Sequence, residues 1–193
     1  VLSALAVSRE TNIRFTWFID AKSWHHQRET LKLLREQGQS IQFHCYYHMT
    51  YKSRRLNRIN ISKGLSILKS NGLYPEAMVS PNGFYYPGYA SAIKKFDFRY
   101  TSEFGYDVDN LPSWPGNDRS QPLQLPVHPG SFGVFFQADF SEEDAFLHLH
   151  KTMGKRVDDD GLIILYEHPF FFNGRSRQWS DFIMQCFRKG YQY

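Results

Sequence analysis

Short apolar runs that suit strands alternate along this chain with longer segments whose apolar residues recur every three or four positions, and polar or glycine-rich breaks separate them. Val1 to Asn12 reads as a helix with Val1, Leu2, Leu5 and Ala6 on one side. Ile13 to Ile19, IRFTWFI, reads as a buried strand from its β-branched and aromatic content, and Asp20 ends it. Ser23 to Gln37 predicts a helix with Leu31, Leu33 and Leu34 inward, stopped by Gly38. Ser40 to Cys45 alternates polar and apolar residues as a strand does. Leu56 to Ser70 predicts a second helix, with Leu56, Ile59, Leu65 and Leu68 as its inner face and Gly72 as its stop. A short strand over Pro75 to Ser80 then runs into PNGFYYPG, a loop whose residues favour special backbone angles.

The second half continues the alternation. Tyr89 to Phe96 predicts a short helix, Phe98 to Thr101 a strand, Ser102 to Gln121 a long irregular loop, Leu123 to Val127 a strand and Phe132 to Gln137 a further extended piece. Ser141, with Glu142, Glu143 and Asp144 behind it, starts a helix and places acids where the helix dipole favours them. Gly161 to Tyr166, GLIILY, is the most apolar strand, and Gln178 to Lys189 is a closing helix with Trp179, Phe182, Ile183, Cys186 and Phe187 on its core side. Strands alternating with helices predict parallel βαβ units and an α/β fold. The polar residues with chemistry follow the strands: Asp20, His44, His48, Asn82 and His168. That carboxyl end is where α/β folds build their sites.

With 193 residues the chain predicts about one domain, 1–193, large enough to bury a core without staples. The net charge of +4 is mild, and its one basic cluster, Lys52 to Arg58, reads as a solvated loop and helix start rather than a nucleic-acid patch. No apolar run approaches the roughly 18 residues of a membrane span. The opening VLSALAV is too short for a signal peptide and reads as the tail of a helix, so the chain is expected to begin inside a domain. Cys45 and Cys186 make no disulfide framework and read as small buried hydrophobes.

His44 and His48 carry the strongest chemical signal, an H-x-x-x-H spacing at a strand end. A strand running into a loop that curls back can bring both imidazoles to one ion. The competing reading makes His44 a strand-face residue and His48 a loop residue. His25 and His26 are adjacent, and His148 and His150 are two apart on a helix, so neither pair points one way and surface or structural roles are expected. Aromatic residues make up 17% of the chain; Tyr85, Tyr86, Trp114 and Phe170 to Phe172 suit either a sugar-stacking groove or ordinary packing. There is no internal repeat, phosphate loop, G-x-S-x-G elbow or Cys-x-x-Cys site.

Four stretches, in order, resemble the motifs of one family, the polysaccharide deacetylases of the chitin deacetylase and carbohydrate esterase family 4 group. FTWFID at Phe15 to Asp20 looks like that family's early "ATFF" strand and FHCYYH at Phe43 to His48 like its H-S/T-x-x-H metal motif. VSPNG at Val79 to Gly83 looks like its R-x-P-x-G motif, and LIILYEHP at Leu162 to Pro169 like its late L-x-L-x-H strand. The resemblance covers about Ile13 to Tyr193 and implies a distorted (β/α) barrel of about seven strands. It implies that His44 and His48 hold a divalent metal, commonly zinc, that His168 is the general acid for the leaving amine, and that Pro81 and Gly83 shape one wall of the groove; on a deacetylase reading Asn82, Tyr85, Trp114 and Phe170 are further expected contacts of an N-acetylated glycan or related amide. Family members act mostly outside the cytoplasm, which favours an extracytoplasmic or cell-envelope setting on resemblance alone.

The chain departs from the pattern in three places. The family's aspartate pair lies in a T-F-D-D type motif before the "ATFF" strand, and this chain begins after that point. Val79 stands where the third motif carries arginine, and Cys45 where the metal motif carries serine or threonine. Two expectations follow: an N-terminally incomplete domain lacking its first strand, whose activity is deacetylation, or a degenerate member that binds glycan without hydrolysing it. A small-molecule amidohydrolase on the same scaffold is a third.

Overall fold

The computed structural model describes residues 1–104, 111–128, 130–158 and 164–190. They form two compact units, one of Arg14–Phe104 with Pro112–Pro126, the other of Val1–Ile13, Leu111 and the described residues from Val127 onward.

The first unit is built on a five-stranded sheet in the order β1-β2-β3-β4-β5: β1 Thr16–Asp20, β2 Ser40–Cys45, β3 Ala77–Met78, β4 Tyr100–Thr101 and β5 Leu123–Gln124. Every neighbouring pair is parallel. Crossover helices make that possible: α2, Trp24–Glu36, joins β1 to β2, α3, Arg54–Ser70, joins β2 to β3, and α4, Pro87–Ile93, lies between β3 and β4. Because every pair is parallel, the carboxyl ends of β1 to β5, with Asp20, His44, His48 and Asn82 at or just past them, fall on one edge of the sheet. An α/β fold with a parallel sheet is therefore as expected. The described residues supply five of the about seven strands that a closed barrel would need.

Phe43 of β2 is fully buried, and Gly64 of α3 lies flat against its ring, where a Cβ would overlap the ring carbons. β1 is less buried than its composition suggests: only Ile19 is fully covered, because β1 stands at one end of the sheet order among the described residues. α3 also differs from its expected face. Leu65 and Leu68 are buried, but Leu56 and Ile59 are 46% and 51% exposed, and Asn57 and Asn60 take the inner positions. A periodicity that counts only apolar residues misses an inner face made partly of amides.

The second unit packs α1, Leu2–Thr11, against α7, Ser176–Gly190, with α5, Phe132–Gln137, and α6, Glu142–Asp158, beside them. Its core is aromatic: Phe132 meets Phe146 at 4.6 Å and Trp179 at 5.1 Å between ring centroids. Phe132 to Gln137 is helical where an extended piece was expected. Ser131 caps it, accepting Val134 N–H at 3.4 Å, and the helix buries Phe132 and Phe135 on one side. Of the expected strand Gly161 to Tyr166, residues 161–163 lie outside the description and 164–166 join no ladder among the described residues, although Ile164 O accepts His128 N–H at 2.9 Å. Among the described residues no helix is long and apolar enough to cross a membrane.

Candidate functional site at the carboxyl ends of β2, β3 and β4

β2 ends at Cys45 and the chain turns at once, which brings His48 back over the strand end. The His44 and His48 rings meet edge to face, 4.9 Å between centroids. His44 is half-buried and His48 exposed. Nδ1 of His44 lies 3.0 Å from Val79 O at the end of β3, which fixes the ring plane and makes Nε2 the nitrogen suited to an ion. Cys45, between them in sequence, is buried in the core, and burial and then Asp20 push its thiol up to about 12.

The turn that carries His48 is held by α3. Asn60 accepts Tyr47 N–H through Oδ1 at 2.7 Å and donates through Nδ2 to Tyr47 O at 3.0 Å and Met49 O at 3.2 Å. Asn57 does the same for Tyr51, at 2.9 and 2.7 Å. The loop thus borrows the backbone partners it lacks from two buried side chains.

The segment after β3 meets this loop, since Thr50 Oγ1 donates to Pro81 O at 3.2 Å. Pro81 is buried and Asn82 exposed; Asn82 and Gly83 both take positive φ, 60° and 65°. Gly83 is obligatory twice over, because a Cβ there would also strike the Phe104 ring at 2.5 Å. Beneath this turn lies Glu103, 1% exposed. Its Oε1 accepts from Ser80 N at 3.2 Å, from Thr101 Oγ1 at 2.6 Å and, at 3.5 Å, from Tyr89 OH. Burial without a cation raises its carboxyl to about 7.

Tyr85 packs edge-on against Tyr89, 5.7 Å between rings, and its hydroxyl is buried without a partner; burial and then the charges of Glu103 and Asp118 push its phenol up. Tyr86 stacks on Phe84 at 5.5 Å. Trp114 stands in the loop before β5 under the Arg119 guanidinium, 5.1 Å away. Asp20 caps the turn after β1, accepting from Lys22 N at 2.8 Å and Ser23 Oγ at 3.2 Å.

His168 and Phe170 belong to the second unit. His168 has a side chain 64% exposed, and the neighbouring Glu167 carboxylate accepts its backbone N–H at 2.8 Å and Phe132 N–H at 2.6 Å. Burial raises Glu167 to about 7. Phe170 is 60% exposed and packs on Phe171 at 4.0 Å; Phe172 is core.

Compared with solved structures, the chain matches a candidate polysaccharide deacetylase from Mycobacterium smegmatis with a TM-score of 0.80 at 20% identity, over 96% of this chain and 70% of that one. The chain has a polysaccharide deacetylase-like fold. Puue allantoinase matches with a TM-score of 0.79 at 16% identity, over 98% of this chain and 66% of that one. A carbohydrate esterase family 4 pseudoenzyme from Bacillus anthracis matches at 0.66 and 14%, over 98% and 56%. The chain therefore spans only 56% to 70% of the length of these proteins. No protein-family model and no curated protein matches it.

A divalent ion is the group the sequence resemblance implies, and the donor set tests how well it fits. Two imidazoles converge, one anchored through its far nitrogen, but among the described residues no group of three His, Cys, Asp or Glu side chains could hold a metal. A catalytic zinc takes three protein ligands, so the described residues fall one short. Sequence periodicity pointed to the histidines but not to Asn57, Asn60, Glu103 or Glu167. Polar residues inside an amphipathic pattern, such as the Asn57–Asn60 pair in α3, were the available signal.

Proposed function

We propose that this chain is a metal-dependent hydrolase of non-peptide C–N bonds that removes acetyl groups from an N-acetylated polysaccharide. One observation carries the reading: His44 and His48 meet at the carboxyl end of a parallel strand, with His44 oriented by Val79 O. The deacetylase-like fold supports it. His44 and His48 would hold the ion, zinc in the first instance, which would supply polarisation of the acetamide carbonyl. His168 is the proton donor to the departing nitrogen, and Pro81, Asn82, Gly83, Tyr85, Trp114 and Phe170 contact the sugar. Acetate release from N-acetylglucosamine oligomers, with and without added zinc, tests the reading. Release that requires metal and is lost in both His44→Ala and His168→Ala is the expected result, and no release under any metal overturns it.

The two-histidine donor set favours a second reading, a glycan-binding protein without hydrolysis, as does the likeness to a pseudoenzyme. Calorimetric binding of the same oligomers without acetate release would establish it. The allantoinase likeness supports a third, hydrolysis of a small amide, which activity independent of glycan length would reveal.

A further inference from the structure

The geometry points to Glu103 as the residue that positions the Ser80–Phe84 turn, and to the loss of its proton as the event that loosens that turn. Three elements converge on this single carboxyl group. Ser80 N–H comes from the end of β3, Thr101 Oγ1 from β4, at 2.6 Å from Oε1 and 2.7 Å from Oε2, and Tyr89 OH from α4. The next residue, Phe104, covers Gly83 so closely that no Cβ fits. Glu103 and Phe104 therefore grip the turn at both ends, and the turn's Pro81 O is tied to Thr50 beside the histidines.

The groups that face Glu103 are all neutral donors. Tyr89 and Tyr85 are the titratable ones, both phenols pushed upward by burial and then by Glu103, and Asp118 acts in turn on Tyr85. Among the described residues no Lys, Arg or His pairs with Glu103. An ionised carboxylate in that setting is stabilised by opening to water, whereas the neutral acid is at home. Raising the pH through neutrality thus favours opening of the turn, and with it displacement of Pro81, Asn82 and Gly83. The consequence for ligand binding rests on the proposed function; the opening itself does not.

Backbone amide exchange at Ser80 to Phe84, normalised to intrinsic rates, tests this on the chain alone. In the wild type, protection should fall about tenfold between about pH 5 and pH 8. Glu103→Gln keeps an acceptor for Ser80 N–H but cannot ionise, so its protection should be flat across that range. A flat wild-type profile, or an equal slope in Glu103→Gln, overturns the proposal. In parallel, the affinity for an N-acetylglucosamine pentamer should weaken with pH in the wild type and not in Glu103→Gln. A slope in exchange with no oligomer binding at any pH upholds the Glu103 assignment and rejects the glycan reading.

Discussion

Asn60 holds both backbone groups of Tyr47 with one amide, accepting its N–H at 2.7 Å and donating to its carbonyl at 3.0 Å. Tyr47 directly precedes His48, so the α3 amide fixes the backbone next to that histidine. Asn60→Ala removes an acceptor and a donor at a buried position and should cost about 2–4 kcal/mol in urea unfolding, at the upper end because Tyr47 N–H, Tyr47 O and Met49 O each lose a bond. Asn60→Asp keeps only the acceptor and should fall between wild type and Ala.

Zinc should raise the melting temperature of the wild type and leave His44→Ala unmoved. A ligand at about 100 times its Kd stabilises by about 2.7 kcal/mol, several degrees for a domain of this size. His48→Ala should behave like His44→Ala if both rings hold the same ion. An unchanged shift in either variant, read by differential scanning fluorimetry, removes that histidine from the metal site.

Gly83→Ala should destabilise by about 1–3 kcal/mol, because the residue sits at φ 65° and the new methyl meets the Phe104 ring. Phe104→Ala in the same chain should recover the part of the loss due to the clash and none of the part due to φ. A double-mutant cycle separates the two.

Glu167 contributes a pH dependence with a definite sign. Burial raises its carboxyl in the folded chain to about 7 from an ordinary 4.5. The folded state therefore binds the extra proton between those values, so this contribution to stability is full below the unfolded pKa and is lost as pH rises through 7. Unfolding free energies should decline over that window, and Glu167→Gln should flatten the decline by an amount on the order of 1–3 kcal/mol.

Much of this architecture could be read from the chain. Ser40–Cys45 is the strand its alternation predicts, and every crossover helix of the sheet stands where apolar periodicity put it, to within a few residues. The spacing of His44 and His48 at a strand end allowed a convergence without requiring it, and the two rings do meet. What escaped is polar and buried. Asn57 and Asn60 look like surface residues in a helix that also holds Leu56 and Ile59, yet the amides point in and the aliphatic pair points out, because the amides supply partners to the backbone of Tyr47, Met49 and Tyr51 in the loop. Glu103 lies in a stretch that reads as loop, and only the fold reveals that three elements close over it. The helix at Phe132–Gln137 was missed because its aromatic residues suit a strand equally well, and Ser131 decides the matter by capping.

Cys45 gives the protein an internal clock. Its thiol lies 2% exposed behind the histidine turn and is held protonated far above neutral pH, so an alkylating reagent can reach and react with it only when the first unit opens. Cys186, half-buried on α7 in the other unit, offers a second clock on the same chain. The ratio of the two labelling rates would report whether the units breathe together or separately.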